Sequence, residues 1–329
     1  MIIDCHGHLG APAELYVYAN HLLNTRGEEG RGRAMISDER MEELAQSNLR
    51  IMDRVGTDFR ITSPRPYLMH SERPVKIIAW WVQAVNNAIA QQVKLHPDRF
   101  AGLGGLPQVS GEPVTVALDE VDRCAELGFA GVSVNPDPGE GDNATPTMAD
   151  EYWYPLYERC QALDMPILVH SASCRVHQRE SYTEHFITEE SIATLSLCKS
   201  TVFEDFPRLK IVMSHGGGSV PYQIGRHRSL MLRRGSRFDD ALRKMYFDTV
   251  ILSESGLNTL FTEVGPDRCL FGTEKPGIGS STDPDTKEDY DDVKPKIERL
   301  GWLTDEQKRA IYEGNARRVF TRLKLPAAK

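Results

Sequence analysis

The chain lacks several things that would decide its class at once. No run in its 329 residues approaches the ~18 apolar residues of a membrane-spanning helix. Positive charge is in deficit: 39 Lys and Arg against 47 Asp and Glu leave a formal charge of −8. A general nucleic-acid surface needs clustered cations, so that class is disfavoured. No C-x-x-C pair occurs among Cys5, Cys124, Cys160, Cys174, Cys198 and Cys269, and their spacing is irregular. A disulfide framework is not expected at this size, and buried thiols are. The N-terminus has no charged segment followed by an apolar one, so a cytoplasmic location is expected. Internal repeats and low-complexity tracts are absent.

What is present is alternation. Eight short β-branched runs read as strands: Met1–Cys5, Asp58–Thr62, Phe100–Leu106, Ala130–Val134, Pro166–His170, Leu209–Ser214, Met245–Ile251 and Arg268–Gly272. Most are continuously apolar, as strands buried on both faces should be. Helical spacing fills Glu39–Val55, Pro74–Leu95, Pro113–Leu127, Glu189–Phe203 and Glu254–Val264. Gly128 is placed to end the third of these. Strand–helix alternation repeated eight times predicts an α/β protein with a (β/α)₈ TIM-type barrel, one domain over 1–329. Residues 8–33, 136–150 and 279–290 read as long loops, which are commonly functional. Thr304 and Gln307 form a capping-box pattern that opens C-terminal helical pieces.

Histidines mark the strand ends. His6 and His8 close the first strand, His170 the fifth and His215 the sixth, in Ser214-His215-Gly216-Gly217-Gly218. Barrel chemistry is carried at the C-terminal ends of strands. Residues i and i+2 share a strand face, so His6 and His8 can grip one ion. Strand five lies across the barrel, so His170 can approach that ion from the other side. Neutral imidazole suits Zn²⁺, and Glu274 after strand eight would complete the shell. A lone H-x-H is a weak signal; the combination on strands one, five, six and eight is a strong one. His21, His70, His96, His177 and His227 read as surface or loop residues, and His185 as one that could face the pocket.

At these residues the chain resembles the amidohydrolase superfamily, over nearly its whole length. The motifs are Ile3-Asp4-Cys5-His6-Gly7-His8, Val169-His170, Ser214-His215-Gly216-Gly217-Gly218 and Phe271-Gly272-Thr273-Glu274. The subgroup takes in aromatic-acid decarboxylases, 4-oxalomesaconate hydratase and the LigY-type meta-cleavage-product hydrolase. Most of the superfamily has Asp where this chain has Glu274, and that replacement is similar to the last two. Ser63-Pro64-Arg65-Pro66, Gly105–Val109, Asn135–Pro138 and Tyr152–Tyr157 look closest to the hydrolase. The resemblance implies His6, His8, His170 and Glu274 as ligands of Zn²⁺ (or Mn²⁺), with His215 as an acid/base. It also implies a homodimer.

The expected reaction is metal-dependent C–C hydrolysis of a carboxylated ring-fission product. A bound Zn²⁺ can bring the pKa of water to about 7. Hydration of an oxo-dicarboxylate is the alternative, and non-oxidative decarboxylation of an aromatic acid a more distant one. A non-catalytic metal-binding barrel would be favoured by loss of a ligand or of His215, and all are intact. Guanidinium matches carboxylate in bidentate geometry, so Arg65 and Arg226 are expected to bind substrate, with His185 beside them. Tyr182 could donate a proton or a hydrogen bond. The aromatics of Tyr152–Tyr157 read as core or as packing for a ring. The partners expected are a small carboxylated substrate and no nucleic acid or membrane.

Overall fold

A computed structural model of the chain describes residues 1–66, 69 and 71–326; His70, expected at the surface, lies outside the described residues. All eight apolar runs form strands: β1 (Ile3–His8), β2 (Phe59–Ser63), β3 (Phe100–Gly105), β4 (Gly131–Val134), β5 (Ile167–Val169), β6 (Ile211–Met213), β7 (Tyr246–Asp248) and β8 (Cys269–Leu270). Each pairs in parallel with the next in sequence order. The Cys5 N–H donates to the Phe271 carbonyl at 2.8 Å, which joins the last strand's end to the first. The result is the (β/α)₈ barrel, as expected. Among the described residues no helix is long and apolar enough to cross a membrane. All six cysteines are buried and unpaired.

Helices cover the strands with their apolar stripes. The helix Val75–Leu95 buries Ile78, Trp81, Val85 and Ile89 on one side, and Asp38–Val55 buries Met41, Ala45 and Met52. Ser37 caps the latter by accepting from the Arg40 N–H, and Gly56 ends it at φ 73°. Trp153 and Tyr157 are fully buried, so core packing is the reading that holds for these two. The capping box at Thr304 and Gln307 is present. Beyond it Ala316, Val319 and Phe320 pack in one cluster with Ile3, Cys5 and Leu270, so the C-terminus seals the joint between β1 and β8.

Two expectations are corrected. The connection 8–33 is not an open loop: it holds a helix, Ala13–Asn24, that buries Leu15, Tyr18 and Leu22. The helix expected from Glu189 starts seven residues earlier, at Tyr182, and ends at Cys198. Ser181 and Glu184 close a capping box there, a start signal that the polar stretch obscured. By contrast, 136–150 contains no helix or strand.

β1 carries the feature that matters most for the site. Its register against β2 runs Asp4↔Arg60 and then Gly7↔Thr62, so β1 spends one residue more than β2 over the same span. Such a bulge re-aims side chains. Gly7 is where the Arg60 side chain crosses the strand. A Cβ at Gly7 would stand 2.3 Å from Arg60 Cδ, and Arg60 is fully buried. Gly7→Ala is therefore expected to destabilise by about 1–3 kcal/mol, the usual cost of overpacking. The midpoint of urea unfolding reads it, and an unchanged midpoint would refute the packing account.

Candidate metal centre and substrate cavity

Four imidazole rings meet at the C-terminal ends of the strands. Ring centroids are 5.1 Å apart for His6 and His8, 4.8 Å for His6 and His170, 5.3 Å for His8 and His170, and 5.0 Å for His170 and His215. Burial alone does not explain them, because each has one nitrogen already spent. His6 Nδ1 donates to Asp248 Oδ2 at 2.6 Å. His8 Nδ1 lies 3.0 Å from the Pro64 carbonyl and 2.9 Å from Ser63 Oγ. A carbonyl can only accept, so the His8 proton is on Nδ1. His170 Nδ1 likewise donates to the Ser171 carbonyl at 2.6 Å. The Nε2 atoms of His6, His8 and His170 are all buried with no hydrogen-bond partner. Buried nitrogens are rarely left so; three lone pairs aimed into one space could serve as donors to a metal ion. A backbone or carboxylate partner on the far nitrogen is what metal-ligating histidines ordinarily have.

Glu274 supplies the charge. Its Oε1 is 3.5 Å from His8 Nε2, and its Oε2 is 3.6 Å from His215 Nε2. Donor atoms of His6, His170, His215 and Glu274 all lie within 4.8 Å of one another. Two imidazoles can thus compete for the fourth position beside His6, His170 and Glu274. Protonation separates them. Burial presses the His8 imidazole down to about 4, so it stays neutral, and burial presses His170 well below the ordinary range too. His215 is buried as well, but Glu190 and Glu274 outweigh this and hold it well above the ordinary range. Glu190 reaches His215 Nδ1 at 2.8 Å. Burial pushes Glu274 up, yet His215 and His8 outweigh it and hold the carboxyl well below the ordinary range. A cationic ring is a poor ligand and a good acid.

The backbone places both members of that pair under strain. His215 has φ 49° and Glu274 has φ 55°, each in the left-handed region, a cost of about 1–3 kcal/mol per residue. Three positive-φ glycines follow His215. At Gly218 a Cβ would meet the Ile187 carbonyl at 2.5 Å. Glu274 is pinned by its own N–H, which donates to the His6 carbonyl at 2.7 Å. Its neighbour Lys275 is buried, with Nζ 2.5 Å from Asp291 Oδ1 and 2.8 Å from Asp289 Oδ2. Beneath the rings, Asp4 accepts from Thr273 Oγ1 at 2.7 Å, the His6 N–H at 3.1 Å and Arg60 Nε at 3.1 Å. One carboxylate therefore ties β1, β2 and the segment after β8 together.

A cavity of about 990 Å³ opens above the centre. His8, His215 and Glu274 form its floor, and Arg65 and Tyr182 stand in its wall. Arg65 Nη2 donates to the Pro276 carbonyl at 3.2 Å. Two expected residues are elsewhere. Arg226 is exposed in the first turn of the helix Ile224–Arg233 and is not among the cavity residues. His185 is buried, not in the cavity wall, and held between Glu180 at 3.0 Å and Asp137 at 3.4 Å. The helix start at Tyr182 rotates it into those acids. Asp248 and Glu190 are site residues that the sequence reading missed. Asp248 had a signal, an acid closing an apolar strand; Glu190 had none beyond its place in a helix.

Asp248→Asn should weaken retention of a divalent ion about 10-fold or more, measured by competition with a chelator at matched stability. For His185, burial opposes charge, but Asp137 and Glu180 overcome it and raise the imidazole to about 9 from 6.5. A raised folded pKa gives stability that is full below about pH 6.5 and is lost as pH climbs through about 9. The drop in melting temperature on His185→Gln should thus be large at pH 6 and small at pH 9.5; a pH-independent drop would contradict the ion pairs.

The chain is similar to known proteins over nearly its whole length. A family model described as Amidohydrolase matches residues 3–322. The 2-keto-4-carboxy-3-hexenedioate hydratase of Sphingobium sp. (strain NBRC 103272 / SYK-6) is 37% identical, over 98% of this chain and 97% of the relative. A crystal structure of 4-oxalomesaconate hydratase from Rhodopseudomonas palustris superposes with a TM-score of 0.89 at 33% identity, over 98% of this chain and 96% of that one. A dihydroxybenzoic acid decarboxylase from Polaromonas sp. JS666, with bound manganese, gives 0.72 at 25% identity over 97% and 96%.

Proposed function

The chain belongs to the amidohydrolase family, and from that premise we propose that it is a metal-dependent hydratase adding water to a double bond conjugated to an oxo acid. Hydrolysis of a C–C bond, the first expectation from sequence, has less support than this alternative, because the hydratases match over nearly full length at 37% and 33% identity. The observation that carries the metal dependence is the set of three orphaned Nε2 atoms converging near Glu274. We assign His6, His8, His170 and Glu274 as the ligands. Nitrogen and oxygen donors of this kind accept Zn²⁺ and Mn²⁺ alike, and Zn²⁺ is our assignment.

When bound, such an ion supplies Lewis acidity toward water and a substrate oxygen. The chain does the rest. Asp248, the Pro64 carbonyl and the Ser171 carbonyl fix the three tautomers. Hydration removes one proton from water and delivers one to carbon. Glu274 and His215, 3.6 Å apart, form an adjacent carboxylate–imidazole pair for that traffic. The mobile proton is the one at His215 Nε2, since Glu190 occupies Nδ1. Arg65 pairs with a substrate carboxylate, and Tyr182 offers a hydroxyl from the wall. Burial of the floor keeps bulk water from competing.

The test is product mass from the zinc-loaded chain with an unsaturated oxo-dicarboxylate. One product heavier by a water is expected; two fragments would mean hydrolysis, and released CO₂ decarboxylation. His215→Gln should cut kcat by about 10²–10⁴ while leaving the metal content unchanged. Full activity in that variant would remove His215 from the mechanism.

A further inference from the structure

If the chain is a hydratase, its cavity wall says more about the substrate than the metal centre does. The Sphingobium hydratase acts, by its name, on an acid with three carboxylates. Three carboxylates taken from water need cationic partners, since a buried charge without one is costly. Among the described cavity residues Arg65 is the one Lys or Arg, and the cationic His215 on the floor is already paired with Glu190 at 2.8 Å and Glu274 at 3.6 Å. Other cations of nearby segments are engaged or turned away. Arg175 is bound to Glu140 at 3.1 Å, Lys275 is buried against Asp289 and Asp291, and Arg226 faces solvent.

Apolar surface takes the place of charge. Phe186 lies over His215, with centroids 6.0 Å apart and planes at 30°, and meets Tyr182 edge-on at 5.6 Å. The three rings make an aromatic path from the cavity mouth to the floor. Ile251 and Leu252 also line the wall, and Ile278 at the rim is 54% exposed. The remaining polar groups of the wall are mostly neutral hydroxyls, such as Ser173, Thr183 and Ser253. At about 990 Å³ the space sits at the top of the ~300–1,000 Å³ range of small-molecule pockets.

We propose, resting on the hydratase reading, that the substrate is an unsaturated 2-oxo acid with one carboxylate directed to Arg65 and an apolar, ring-bearing substituent lying along Phe186 and Tyr182. Against a compact tricarboxylate, the described residues of that wall offer one Lys or Arg, Arg65.

Saturated analogues test this without turnover. The zinc-loaded full chain is titrated calorimetrically with 4-phenyl-2-oxobutanoate and with tricarballylate, a tricarboxylate without a ring. The phenyl acid is expected to bind with a Kd roughly tenfold lower or better, 1.4 kcal/mol per decade. Ile278→Lys, an exposed change that the fold should tolerate, is expected to raise the phenyl acid's Kd about threefold and to lower that of tricarballylate. Equal or tighter binding of tricarballylate by the unaltered chain overturns the proposal, and so does binding of neither. The hydratase reading is judged separately. If the phenyl acid is preferred but its unsaturated counterpart gains no water, hydration fails and the pocket assignment stands. If a tricarboxylate is both preferred and hydrated, the pocket assignment alone falls.

Discussion

The site depends on holding three buried imidazoles by the same ring nitrogen, Nδ1, so that each turns Nε2 to the common space. That constraint is met with three different acceptors: a carboxylate for His6, a proline carbonyl for His8 and the adjacent serine carbonyl for His170. Each comes from a different part of the barrel. If one acceptor were lost, its ring could flip or change tautomer and present N–H where a lone pair is needed. The rest of the architecture holds these acceptors still. The β1 bulge aims His6 and His8, and the Asp4 carboxylate clamps the two strands and Thr273 below them.

Backbone strain also falls where proton transfer is assigned. His215 and Glu274 both occupy left-handed backbone, and each is over-determined by its surroundings. Glu190 grips one from the helix Tyr182–Cys198, and the His6 carbonyl grips the other. The protein thereby sets a cation and an anion side by side in a buried place, where separately each would be expensive. Phe186, from the same helix as Glu190, covers His215. Helix and centre are therefore one unit.

The barrel was legible because its strands are continuous apolar runs, and their periodicity does not depend on partners. Element ends were less so. Tyr182, Thr183, Phe186 and Ile187 line the cavity and are partly exposed, so the amphipathic signal that marks a helix was missing at its start. In 13–24 the signal was present, with Leu15, Tyr18 and Leu22 at helical intervals, but Gly and charge around it masked it. That His6, His8, His170 and His215 converge could be read from their places at strand ends. Arg226 and His185 could not be placed, because the facing of a helical side chain depends on how its helix packs against the barrel, which local spacing does not give. Asp248 and Glu190 act through other side chains, a relation that separation along the chain conceals.

Lys275 has a wider bearing. Its single ammonium holds Asp289 and Asp291, while the residue before it is Glu274. The intervening segment leaves and returns to one anchored point, and Ile278 from that segment reaches the cavity rim. Such a loop can be rewritten in length and chemistry while the anchor keeps the metal centre in register. A change of residue along that tethered stretch therefore reshapes the rim without shifting the backbone that holds Glu274.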